Sequence, residues 1–144
     1  MRLVLDTTAM VAAMRSNVGA SRWLLHSALE QQRGLTLLVS VPLLIEYEAV
    51  MTRPEHLRTA RLSARDVAVL LDAVAAVAEP VRLAFLWRHT LPDHNDDMVL
   101  EAAVNGRADG IVTFNGRDFT LAPKQSGIAV LLPGEAMKRL EKAS

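Results

Sequence analysis

LPDHNDDMVLEAAVNGRADGIVTFNGRDF, residues 91–119, is the stretch whose reading decides the fold. Leu91 to Asn95 reads as a loop that carries Asp93 and His94. Asp96 to Asn105 predicts a helix with acids in its first turn, where the helix dipole favours them, and Gly106 ends it. Gly110 to Thr113 predicts a short buried strand that gives way at once to polar sequence: Thr113-Phe114-Asn115, then Asp118. A helix feeding a short apolar strand, with polar residues directly after it, is the repeating unit of a parallel α/β sheet.

The same pattern recurs on either side. Arg2 to Leu5 predicts a first strand, closed by Asp6-Thr7-Thr8 and followed by a short helix, Thr8 to Met14. Asn17 to Ala20 breaks it, and Ser21 to Gln31 forms the next helix. Leu35 to Val39 predicts a second strand. Ser40 is a suitable N-cap for a helix that reaches about Met51, with Pro42 in its first turn. Arg53-Pro54-Glu55-His56 reads as a loop. Ser63 with Asp66 forms a capping-box pattern opening a helix to about Ala78, with Val67, Leu70, Leu71, Val74 and Val77 as its apolar stripe. Pro80 ends that helix, Val81 to Trp87 predicts a third strand, Ile128 to Leu132 a fifth, and Gly134 to Lys142 a closing helix. The expected fold class is α/β: one domain, residues 1–144, built on a central parallel sheet of about five strands with helices on both faces.

Composition bounds the function. The 144 residues, 51% hydrophobic and 22% charged, suit a globular domain with a sizeable core. Lys plus Arg is 16 and Asp plus Glu is 16, so net charge does not announce a polyanion binder; any such attraction has to come from a local basic patch or from cations. The absence of Cys excludes thiol catalysis, disulfides and Cys-based zinc sites. The apolar stretch before Asp6 is too short for a signal peptide, and no run is long enough to span a bilayer, so the expected location is the cytoplasm, with no membrane partner.

In open α/β sheets, ligands bind beyond the carboxyl ends of the strands. Acids gather there: Asp6 after the first strand, Glu46 about one and a half turns into the helix after the second, Asp93, Asp96 and Asp97 before the late helix, and Asp118 with Asn115 after the fourth strand. Each has an ordinary alternative, since Asp6 can cap a helix, Asp96 and Asp97 can serve the helix dipole, and Glu48 and Glu101 read as solvated helix residues. Crowded carboxylates repel, and a divalent cation removes that cost. Hard oxygen donors without thiolate or paired His point to Mg²⁺ or Mn²⁺. Such an ion suits phosphodiester hydrolysis, because it acidifies water and neutralises phosphoryl oxygens. The four His residues show no metal-ligand spacing, and Trp23 and Trp87 are expected in the core. Arg15 and Arg117, with Arg22, Arg53, Arg58, Arg61 and Arg65, are weak candidates for phosphate contacts.

LDTTAMVAAMRS, SVPLLIEYEAVMTRPEH and the late segment quoted first, in this order and spacing, resemble PIN-domain nucleases and are most similar to the toxin components of VapC-like toxin–antitoxin pairs. The resemblance runs from Arg2 to about Pro133. It implies a PIN-like Rossmannoid sheet, Mg²⁺- or Mn²⁺-dependent RNA cleavage, a homodimer, and a small cognate antitoxin protein. By position, Asp6 matches the first metal-binding acid, Glu46 the second and Asp96 the third, with Asp97 a one-residue alternative. The fourth polar position falls at Asn115 or Asp118, and Asp93 matches a further acid. Thr8 stands where the family usually has Asn, and Asn115 where many members have Asp.

The expected machinery is therefore Asp6, Glu46 and Asp96 on a first ion, with Asp118 and Asp93 or Asp97 completing the site, and Thr8 and Asn115 orienting carboxylates as outer partners. Water attacks the phosphorus in line and leaves a 5′-phosphate and a 3′-hydroxyl. Two alternatives are a catalytically weakened PIN module that binds RNA or protein, and a haloacid dehalogenase-type phosphatase. The second would need an acid where Thr8 stands and a Lys ahead of Asp96.

Overall fold

The computed structural model describes residues 1–84, 94–119 and 127–143; the side chains of residues 94–96 and 118 lie outside that description. In chain order the elements are β1 (Arg2–Leu5), α1 (Thr7–Arg15), α2 (Ala20–Leu29), β2 (Thr36–Val39), α3 (Val41–Met51), α4 (Pro54–Ala60), α5 (Ala64–Val77), β3 (Glu79–Pro80), α6 (His94–Asn105), β4 (Gly110–Val112), a 3₁₀ turn (Gly116–Phe119), β5 (Ala129–Leu131) and α7 (Pro133–Ala143).

The strands form one parallel sheet in the order β3-β2-β1-β4-β5. Leu3 pairs with Leu37 on one side and with Gly110 on the other, and Leu5 pairs with Val112. Successive strands therefore step outward from β1 to β3, then the chain returns to the opposite side of β1 to lay down β4 and β5. The seam between β1 and β4 is the point where strand order reverses, the position at which open parallel sheets form a crevice. Leu3, Val4, Leu38, Ile111 and Val112 are fully buried along the central strands, and α6 packs on β1, β2 and β4. This is the α/β class with a parallel five-stranded sheet expected from the sequence.

Local chemistry accounts for most element ends. Asp6, Ser40 and Ser63 each accept a backbone N–H at the start of α1, α3 and α5. At α5 the box is complete, because Asp66 also accepts the Ser63 N–H at 2.8 Å. At the opposite, amino-terminal end of the seam, Arg2 ties the edge of the sheet together. Its guanidinium donates to Glu79 and to the Gly106 carbonyl, and its backbone N–H donates to Asp109 at 2.7 Å. The ion pair holds the Glu79 carboxyl below the usual carboxylate range.

Several local expectations are corrected. Arg53-Pro54-Glu55-His56 is not a loop: Pro54 opens α4, because a ring locked near helical φ and lacking an N–H suits a first helical position. Residues 81–84 are not strand. The pairing with β2 falls at Glu79 and Pro80, and Val81 adds only an N–H to the Val39 carbonyl; the remainder of the expected third strand, 85–87, lies outside the described residues, as do Trp87 and His89. The late helix begins at His94 and so absorbs His94 and Asn95 from the expected loop. Trp23 is half-buried, with the Arg33 guanidinium 4.7 Å above its ring, so it lies at the margin of the core.

Candidate active site

Asp6 sits at the carboxyl end of β1 and is buried, at 2% exposure. Its carboxylate is fixed by three short hydrogen bonds. Thr7 N–H donates to Oδ1 at 2.7 Å, while the Thr8 and Thr113 hydroxyls donate to Oδ2 at 2.9 and 2.7 Å. Thr113 follows β4, so the pair Asp6–Thr113 bridges the seam where strand order reverses. The backbone repeats the tie: Asp6 N–H donates to the Val112 carbonyl at 2.9 Å. A second layer orients the hydroxyls. Phe114 N–H donates to Thr8 Oγ1 at 3.2 Å and Asn115 N–H to Thr113 Oγ1 at 2.9 Å. A carboxylate offers about four lone-pair positions. Two hydroxyls engage Oδ2, while the Thr7 N–H and, at 3.4 Å, the Thr7 hydroxyl engage Oδ1, so a cation there would take the place of the long Thr7 hydroxyl bond.

The α3 helix starts at the same end of the sheet and carries Glu46, the acid expected second from the sequence. Ser40, buried after β2, caps it, and its Leu43 and Tyr47 lie in the core. The Tyr47 hydroxyl donates to the Leu5 carbonyl, next to Asp6. Burial, and then the nearby Asp6 charge, push the Tyr47 phenol far above its ordinary range. Glu46 is the neighbouring residue and is half-buried.

The α6 helix contributes buried acids. Its first turn lies at the carboxyl edge, since the chain enters α6 from β3 and leaves it toward the start of β4. Asp97 and Glu101, one turn apart on α6, are both fully buried. Each interacts with at least one neighbouring group. Glu101 is thus not the solvated residue expected: α6 is enclosed on this face by the sheet and α3, which propensity alone does not reveal. Glu48 is exposed, as expected.

Asp93 and the side chains of Asp96 and Asp118 lie outside the described residues. Asn115 is exposed; its backbone, and not its amide, joins the network around Asp6. Arg117 is exposed in the 3₁₀ turn, and Arg15 lies at the far end of α1 against His56 and Thr59. Among the described residues no three acids or histidines are grouped closely enough to hold an ion together. Thr113 and Tyr47 were missed by sequence reasoning. The signal available for Thr113 was its position directly after a strand beside β1; Tyr47 carried none.

A parallel sheet whose reversal point holds a locked carboxylate defines a Rossmann-like α/β protein with a polar centre at its strand ends. The family model of the PIN domain matches residues 2–117, and the chain belongs to that family. PIN domains are usually nucleases, act on nucleic acid and generally use divalent metals. No curated protein matches the chain. No helix among the described residues is long and apolar enough to cross a membrane.

Proposed function

We propose that the chain is a Mg²⁺- or Mn²⁺-dependent endoribonuclease acting as the toxin of a toxin–antitoxin pair, cytoplasmic and homodimeric, with a small antitoxin protein as its partner. The observation that supports the nuclease reading best is Asp6, held by Thr7, Thr8 and Thr113 at the seam between β1 and β4. Hard oxygen donors and an anchored, desolvated carboxylate fit a hard divalent ion. Asp6, Glu46 and one of Asp96 and Asp97 would hold it, with Asp93 and Asp118 contributing. When bound, the ion neutralises charge on phosphoryl oxygens and lowers the pKa of water.

The protein's own residues do the positioning. Thr8 and Thr113 hold the Asp6 carboxylate in one orientation. The phosphatase alternative requires an acid two residues beyond Asp6; Thr8 stands there and spends its hydroxyl proton on Asp6.

The test uses a labelled single-stranded RNA with Mn²⁺ or Mg²⁺, and with chelator as control. Wild type is expected to cut, and Asp6→Asn to lose at least roughly a hundredfold in rate while keeping its fold. Undiminished turnover in Asp6→Asn would remove Asp6 from the site. The toxin role is tested separately, by growth arrest on induction and relief by the neighbouring small open reading frame.

A further inference from the structure

A groove of about 540 Å³, within the ~300–1,000 Å³ typical of ligand clefts, is lined by the starts of α2 and α7 together with Leu132 and Phe114, the residue it shares with the hydrogen-bond network around Asp6. We propose that this groove is a nucleotide subsite, taking one base and its phosphate from a single-stranded nucleic acid next to the bond that is cut. The inference rests on the nuclease reading and assigns it a substrate-positioning surface.

Four observations converge. First, the groove is linked to the site through one residue. Phe114 stands in its wall, and the Phe114 N–H donates to Thr8, which donates to Asp6. Second, Phe114 is 51% exposed, although aromatics make up only 4% of the chain. An aromatic face held rigidly at a strand end is the platform on which splayed bases stack. Third, α2 begins at Gly19 with no side chain capping it, and Gly19, Ala20 and Ser21, at the positive end of its dipole, line the groove. Fourth, Ser21, in the first turn of α2 and also in the wall, is 97% buried from solvent by its 3% exposure, and its hydroxyl has no hydrogen-bond partner among the described residues.

Charge agrees with a phosphate. Lys138 of α7 lines the groove. Glu135 lines it as well, but its carboxylate already accepts the Leu132 N–H at 2.8 Å and serves the start of α7. Apolar walls, one stacking ring, helix N–H groups and one ammonium are the complement of a nucleotide, with its apolar base and anionic linkage.

Fluorescence anisotropy measures the affinity of the full chain, in chelator so that nothing is cut, for a labelled single-stranded RNA and for the DNA of the same sequence. Phe114→Ala is expected to weaken binding roughly five- to 150-fold and Phe114→Trp to restore it. Lys138→Glu is expected to weaken binding and to flatten its salt dependence, and Val69→Ala, exposed on α5, to leave it unchanged. Parallel thermal melts hold all variants to the wild-type fold. If wild type binds and cuts RNA and Phe114→Ala and Lys138→Glu bind as tightly, the subsite is overturned while the nuclease stands, and the groove passes to a protein partner. Phe114-dependent binding without cleavage in Mn²⁺ would support the subsite and count against the nuclease. A DNA-only response supports the subsite and corrects the sugar.

Discussion

At the scale of single residues, the Asp6 cluster makes a quantitative claim about Thr113. Its hydroxyl donates to Asp6 and accepts from Asn115, and the residue is buried. Thr113→Val keeps the shape but leaves a buried carboxylate oxygen and an N–H short of a partner. A stability loss of about 1–3 kcal/mol is expected in urea unfolding, together with roughly 10–100-fold weaker Mn²⁺ affinity by calorimetry. Tyr47 is the single tyrosine of the chain, so its ionisation can be followed without interference. Its folded-state phenol is shifted upward by burial and by Asp6. The sign follows directly: the contribution to stability is complete below the unfolded tyrosine value of about 10 and is lost as pH rises above it, because only the unfolded chain ionises readily. Tyrosinate absorbance should therefore appear together with alkaline unfolding, and a separate earlier titration would contradict the buried hydrogen bond to Leu5. Asp6 and Thr8 were legible as candidates because they adjoin a strand end. Thr113 and Glu101 were not, because what fixes their roles is contact with residues remote in the chain.

Among the elements, legibility followed local chemistry. The Ser63–Asp66 box and the Ser40 cap name their helices without help from tertiary structure. Pro54 was ambiguous, since the same ring that closes one helix opens another, and only the packing of α4 against α1 decides between them. Pro80 misled in a similar way. Read as the end of α5, it lies inside the strand pairing that Glu79 begins, in a register set by long-range pairing with Leu38 and Val39. Gly106 carries the clearest prediction at this level. A Cβ there would meet the Ala102 carbonyl oxygen and Val81 Cγ2 at 2.8 Å and Leu38 Cδ1 at 2.9 Å. Gly106→Ala is expected to cost about 1–3 kcal/mol, read as a lower urea midpoint with an unchanged slope, because α6 must move away from β2 to accommodate it.

For the whole molecule, the order of the strands is what places a carboxylate, a threonine pair and an exposed aromatic at one seam; the alternation of helices and strands made the parallel sheet readable in the sequence, but not that order. What could not be read was depth: which of several acids is enclosed depends on how α6 lies against the sheet. If an ion binds at Asp6, the folded state is stabilised by mass action. At a hundredfold excess over Kd the gain is about 2.7 kcal/mol, a rise of roughly 2–4 °C per kcal/mol in calorimetry with Mn²⁺ over that with chelator. Asp6→Asn should abolish the difference, and an equal rise in that variant would assign the effect to another site. The margins of the sheet carry a separate consequence. Along one border the paired segment is only Glu79–Pro80, two residues, and the proline ring has no N–H to offer a newcomer strand; along the other, β5 is three residues long. Among the described residues neither border offers a long template on which a neighbouring molecule can extend the ladder, so concentrated solutions should resist fibril growth by edge pairing.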